Sequence, residues 1–219
     1  MIKAIVFDFD GLIVDTENAW FEAFRDVFSE QFGMNVTLEE FAMCIGTENS
    51  VLFDALERKV GRPLDRNGIE RLTLQKYEEK MTAISLRPGV LEYLKEAKKL
   101  GLRIGLASSS SRKWVEHYLT ETGIIDYFEV LKTKDDVEQV KPHPELYLQA
   151  ISSLGVGSAE ALAFEDSANG CNAAVAAGLR CVIVPNLLTR TLQFEKYDWR
   201  LESMEDCSLS QLVTYLTQS

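Results

Sequence analysis

The chain has 219 residues, 46% of them hydrophobic, enough for one large domain or a domain carrying a smaller insertion. Nothing in that composition marks disorder. The formal net charge of −11 argues against general nucleic-acid binding, which needs a basic footprint to neutralise phosphates, so an anionic substrate must be drawn in by local positive groups or a bound cation.

The chain opens with a strand-like run, Ile2 to Phe7, bounded by acids and then Gly11. A helical stretch follows, in which Trp20, Phe21, Phe24, Val27, Phe28 and Phe32 recur at helical spacing. Thr37-Leu38-Glu39-Glu40 fits a capping box, and Val51–Val60 and Ile69–Met81 give two more helical patterns. The chain returns at Arg87-Pro88-Gly89 and then alternates. Helical patterns at Val90–Leu100, Arg112–Thr120, Pro144–Leu154 and Ser167–Ala177 separate β-rich runs at Arg103–Ala107, Phe128–Leu131, Ala161–Phe164 and Arg180–Val184. Gly101, Gly123, Gly155 and Gly178 each lie just past a helical stretch, as C-terminal caps should.

Apolar strands alternating with helices imply a doubly wound (Rossmann-like) α/β fold with a parallel sheet. About 95 residues separate the first two strands, far more than a crossover needs. Residues 16–84 are therefore expected to form an inserted helical cap domain, with 1–15 and 85–219 as the α/β core. The aromatic stripe is read as the face by which the cap packs on itself. Trp20, nearest the exit of the first strand, also offers a surface for substrate.

The cysteines at 44, 171, 181 and 207 are too scattered for a CxxC or zinc pattern. MIKAIVFDFD has only a short apolar run before two acids, so neither signal peptide nor anchor is expected there. No apolar stretch approaches membrane-spanning length. The expectation is a cytoplasmic, monomeric enzyme with no nucleic-acid or membrane partner, and the sequon Asn35-Val36-Thr37 is an accident of composition.

Chemistry is concentrated in four short segments. In Asp8-Phe9-Asp10-Gly11, residues i and i+2 of an extended segment project to one side, so both carboxylates can enter one site. Two unpaired acids there resist joint ionisation, a conflict a divalent cation resolves; taken alone, the pair is equally an acidic turn after a strand. Glu165-Asp166 ends a second core strand, although alone it could simply cap the next helix. Mg2+ is held by one or two carboxylates with waters and a substrate phosphate, which suits Asp8 and Asp166 with the backbone carbonyl of Asp10. Ser108-Ser109-Ser110-Ser111 precedes a helix and suits an anion. Lys141, in Lys141-Pro142-His143-Pro144-Glu145, offers a cation for phosphate and nucleophile. His117 and His143 stand apart without metal-ligand spacing, and no GxSxG elbow or GxxxxGK loop is present.

These elements, in this order, resemble the four motifs of the haloacid dehalogenase superfamily. FDFDGLIVDTE at Phe7–Glu17 is similar to the β-phosphoglucomutase-like branch, as is the helical insert. The resemblance implies that Asp8 is the nucleophile and Asp10 the general acid and base, its pKa raised by acidic neighbours. Ser108, Ser109 and Lys141 would hold the phosphoryl group, and Asp8, Asp10, Glu165 and Asp166 would surround Mg2+. A phosphatase of a small phosphorylated metabolite follows. Dehalogenases lack the second aspartate, and phosphonatases need a cap lysine that Glu17–Arg25 does not contain. The alternative is a sugar-phosphate mutase, but the positions expected to hold its histidine and arginine are Trp20 and Asn49; a non-catalytic regulator need not keep these acids.

Overall fold

The computed structural model describes residues 1–42, 44–45, 49–80 and 85–218. In chain order its first elements are β1 (Ala4–Phe7), α1 (Thr16–Phe32), α2 (Leu38–Ala42), α3 (Ser50–Val60), α4 (Arg66–Lys80), α5 (Val90–Lys99) and β2 (Arg103–Ala107). Next come α6 (Arg112–Glu121), β3 (Val130–Lys132), α7 (Glu145–Ser153), β4 (Ala161–Glu165) and α8 (Ala168–Ala176). The chain ends with β5 (Arg180–Ile183), β6 (Trp199–Arg200) and α9 (Leu209–Gln218).

A strand that is apolar at every position needs cover on both faces, and β1 is buried throughout. Ile5 and Phe7 face a layer formed by α5, α6 and α9; Ala4 and Val6 face α7 and α8. The six strands run parallel in the order β3-β2-β1-β4-β5-β6. Phe7 is in register with Leu106 of β2 and Phe164 of β4, so three strands end at one level. This is the doubly wound α/β fold.

Two elements had not been anticipated. β6 has only two residues, too short for any periodicity, whereas α9 carries a readable stripe in Leu209, Leu212 and Leu216. β3 starts two residues later than expected, because a single 3-10 turn at Ile125–Tyr127 precedes it.

The four helices between β1 and α5 share an apolar cluster of Phe21, Phe24, Phe28, Phe41, Phe53 and neighbours, joined by Leu188 from the loop after β5. Phe24 stacks on Phe28 at 4.8 Å and meets Phe53 edge-on at 5.8 Å. The capping box is formed: Glu40 N donates to Thr37 Oγ1 at 3.2 Å and Thr37 N to Glu40 Oε2 at 2.9 Å. Helix α4 starts earlier than its apolar pattern, at Arg66, and the expected end at Met81 lies outside the described residues. The strands of chain entering and leaving this segment run side by side, with Val14 bridged to Leu86 and Arg87 N donating to Ile13 O at 2.8 Å.

Candidate active site

In a sheet of this topology ligands bind beyond the carboxyl ends of the strands, where the strand order reverses. That point lies between β1 and β4, and Asp8 and Asp166 each directly follow those strands. Lys141 arrives from the loop before α7, across a cis Lys141–Pro142 peptide. Its Nζ lies 2.5 Å from Asp8 Oδ1 and 2.6 Å from Glu165 Oε1, with all three side chains buried. Tyr147 on α7 donates its hydroxyl to the same Glu165 oxygen at 2.5 Å. The expected nucleophile, lysine and acidic pair thus meet, from positions up to 158 residues apart (8 to 166).

Asp10 sits beside them in a different setting. Its Oδ1 accepts from Thr16 Oγ1 at 2.8 Å and Trp114 Nε1 at 2.9 Å, and its Oδ2 from Ser110 Oγ at 2.5 Å. The serine run divides its work. Ser108 is buried and accepts from Ser110 N at 3.0 Å; Ser111 caps α6, accepting from Trp114 N at 3.3 Å. Ser108, Ser109, Ser110 and Ser111 all line a cavity of about 810 Å3 together with Asp8 and Asp10. Trp20 of α1, Asn49 just before α3 and Arg71 of α4 line its other side. Trp20 therefore both packs and faces the cavity: its ring lies 5.5 Å from Tyr77 and 6.2 Å from Trp114. His117 and His143 lie outside this lining; they face Glu121 and Glu145.

Burial sets the electrostatics. It pushes the Asp8 carboxyl up to about 6, assisted by Glu165 and opposed by Lys141. Burial alone would lower the Lys141 ammonium, yet Asp8 and Glu165 hold it above its ordinary value. Asp10 is also raised, by burial first and by Asp8 among its neighbours, while its three donors pull it back. Acidic neighbours are thus the smaller cause of the shift that the sequence led us to expect. Asp166 is raised well above the carboxylate range by burial, then by Glu17, Asp8 and Glu165.

Ligand oxygens of Asp8, Glu165 and Asp166 lie within 4.8 Å of one another, a set of hard donors suited to a divalent cation. Asp166 Oδ1 is the buried side-chain polar atom that finds no hydrogen-bond partner among the described residues, an orphan that a cation would satisfy. The Asp10 carboxylate is outside this group, its oxygens being committed to Thr16, Trp114 and Ser110, so its backbone carbonyl is the atom left for a metal. Glu165 belongs to the group, but its Oε1 already accepts from Lys141 and Tyr147, and Ser167 Oγ donates to Oε2 at 3.3 Å. The acids do not cap α8: Ser167 does, accepting from Gly170 N at 3.0 Å.

The sequence did not single out Thr16, Glu17, Arg87, Trp114, Tyr147 or Asn186, which complete the site. Arg87 donates to the carbonyls of Gly11, Val184 and Pro185, pinning the exit of β1 to the exit of β5. Asn186 follows β5 directly after Pro185, and its place beyond a strand's carboxyl end was its one readable signal.

The inferred phosphatase YhcW of Bacillus subtilis (strain 168) is 50% identical over 217 residues, covering 99% of this chain and 98% of that protein. Hexitol phosphatase B of Escherichia coli (strain K12) is 32% identical over 187 residues, 84% of each chain. Among solved structures, CbbY from Rhodobacter sphaeroides in complex with phosphate superposes with a TM-score of 0.81 at 31% identity, covering 97% of this chain and 100% of that one. The sequence model of the haloacid dehalogenase-like hydrolases matches residues 5–184, from the second residue of β1's central apolar run to just past β5. That span contains every carboxylate, serine and lysine assembled above, and the chain belongs to the haloacid dehalogenase-like hydrolase family.

Proposed function

We propose that this hydrolase is a Mg2+-dependent phosphatase of small phosphorylated metabolites that works through an aspartyl-phosphate on Asp8. The observation that carries the reading is the setting of Asp8: Lys141 Nζ stands 2.5 Å from its Oδ1, and the unpartnered Asp166 Oδ1 belongs to the same cluster. Asp8, Asp166 and the Asp10 backbone carbonyl would hold the cation, and Glu165 would anchor Lys141. When bound, Mg2+ would supply charge compensation for the phosphoryl oxygens.

Asp8 attacks phosphorus, forming the acyl phosphate as the bond to the leaving oxygen breaks. That alkoxide takes a proton from Asp10. The Trp114 indole N–H only donates, so Asp10 Oδ1 stays an acceptor and the transferable proton belongs on Oδ2, beside Ser110. Water then attacks phosphorus, giving its proton to Asp10 and restoring Asp8 with release of inorganic phosphate. Lys141, Ser108 and Ser109 steady the phosphoryl oxygens. Residues 16–84 act as the cap that closes over the substrate. Asn49, Asn67 and Glu70 in the cavity wall suit a hydroxylated carbon chain, so phosphorylated sugars and polyols head the candidates.

Hydrolysis is favoured over isomerisation because Trp20 and Asn49 carry no cation for a second phosphate. Arg25 lies over the Phe21 ring and Arg58 bonds the Asp54 carbonyl; of the two arginines that line the cavity, Arg66 is paired with Asp54 and Glu57, and Arg71 is the other. A phosphate-release screen over sugar, polyol and nucleoside monophosphates, with Mg2+ and with chelator, tests the proposal. Turnover should need Mg2+, and β-glucose 1-phosphate should give phosphate rather than glucose 6-phosphate. Undiminished rates in chelator, or clean isomerisation, would sink it.

A further inference from the structure

One buried amide ties together three segments around the candidate metal ligand. Asn186 Nδ2 donates to Asp166 Oδ2 at 2.8 Å, to Glu17 Oε2 at 2.8 Å and, more distantly, to the Gly11 carbonyl at 3.3 Å. Its other end is fixed by its own loop: Asn186 Oδ1 accepts from Leu188 N at 2.8 Å and Thr189 N at 3.0 Å. Thr189 Oγ1, buried, adds a bond to the same oxygen at 3.2 Å and receives one from Asn186 N at 2.9 Å. The carboxamide therefore has no freedom to rotate away.

Space at this junction is built to the same end. Gly11 has φ +75, and a Cβ there would lie 2.5 Å from Asn186 Nδ2, 2.5 Å from Glu17 Oε2 and 2.6 Å from Asp166 Oδ2. Only a residue without a side chain lets the three groups converge. An amide is also a neutral side chain that can serve two carboxyls at once, since it offers two N–H bonds from one nitrogen. With Oδ2 of Asp166 held in this way, its Oδ1 is left without a partner among the described residues.

We propose that Asn186 is a positioning residue for the cation: it clamps Asp166 through Oδ2 so that Oδ1 is presented to the metal. This rests on the metal reading of Asp8 and Asp166 given above. Through Glu17, the second residue of α1, the same amide ties the start of the inserted helices to the ligand.

The test is direct binding of Mn2+, followed by electron paramagnetic resonance, on full-length protein without substrate. Asn186→Ser keeps a side-chain oxygen for the turn at Leu188 and Thr189 but cannot reach Asp166. Its Kd for Mn2+ should rise about 10–100-fold, the usual scale for removing a partner that orients a ligand. A role confined to the loop would lower Tm and leave the Kd unchanged, which overturns the proposal. Should that variant not fold, Asn186→Asp decides: it keeps size and the turn acceptor while removing both donors. Its added charge would by itself tighten cation binding, so weaker binding reports lost positioning, and equal or tighter binding overturns it. Wild-type protein that binds no Mn2+, like Asp166→Asn, overturns the metal reading and this inference together; wild-type binding with unaffected variants overturns this inference alone.

Discussion

Lys141 is the residue on which the site's charge balance turns. It is fully buried between Asp8 and Glu165, and burying an ammonium is costly unless both carboxylates repay it. Lys141→Ala would leave two buried acids facing each other, so we expect a loss of about 3–5 kcal/mol in stability, read from chemical denaturation. The rate should fall by about 10²–10³-fold with every substrate, because the lysine serves the shared phosphoryl group. A loss confined to one substrate would place it in the specificity pocket instead. Asp8→Asn, by contrast, is close in shape and should abolish phosphate release with the folded circular dichroism retained; near-normal turnover would move the nucleophile elsewhere. Asp8 was legible in the sequence because it ends an apolar run, and Lys141 because it stands in a proline-flanked segment just before a helix. Asn186 and Tyr147 were not, since a lone amide or phenol acquires its role only when distant segments converge.

At the scale of elements, α1 and α4 reach the chemistry through aromatic rings. Trp114 on α6 lies 5.4 Å from Tyr77 of α4, 6.2 Å from Trp20 of α1 and 4.7 Å from Tyr118, while its indole nitrogen donates to Asp10. Trp114→Phe keeps a ring in this cluster and removes the one donor. A hydrogen bond to a charged group is worth about 1.5–3 kcal/mol, so kcat should drop by about 10–100-fold. The loss should be larger for alkyl phosphates, whose leaving oxygen needs the Asp10 proton, than for p-nitrophenyl phosphate, which leaves without one. Equal losses for both would reduce Trp114 to packing. The elements themselves were largely readable. Periodicity located α3, α5 and α6 to within a residue, whereas α1 begins four residues before its aromatic stripe, and the four glycines expected past helices all take positive φ. Position in space was not readable: nothing in Trp114's neighbourhood in sequence says that α6 turns it toward Asp10.

Over the whole molecule, a net charge of −11 and a buried acidic cluster act in the same direction on stability. Asp8 titrates near 6 in the folded chain against an ordinary value of 3.8, and Glu17 and Asp166 are raised as well. A carboxyl with a raised folded pKa holds its proton longer when folded than when unfolded. Its contribution is therefore fully present below the unfolded value and is lost as pH rises through the folded one. For Asp8 that window runs from 3.8 to about 6. Metal-free protein should accordingly lose Tm between about pH 4 and pH 6, and saturating Mg2+ should restore more of it at pH 7 than at pH 5, where protons compete for the same oxygens. General self-repulsion of an acidic chain would also lower Tm over this range, so the comparison needs a control. Asp166→Asn supplies one, because it changes the global charge by only a single unit while removing a member of the cluster. Differential scanning calorimetry of both proteins, each with chelator and with Mg2+, separates the two causes. The variant should show a flatter pH dependence without metal and almost no response to Mg2+. If its Tm rises with Mg2+ as much as that of the wild-type protein, the cation is binding somewhere other than between β1 and β4.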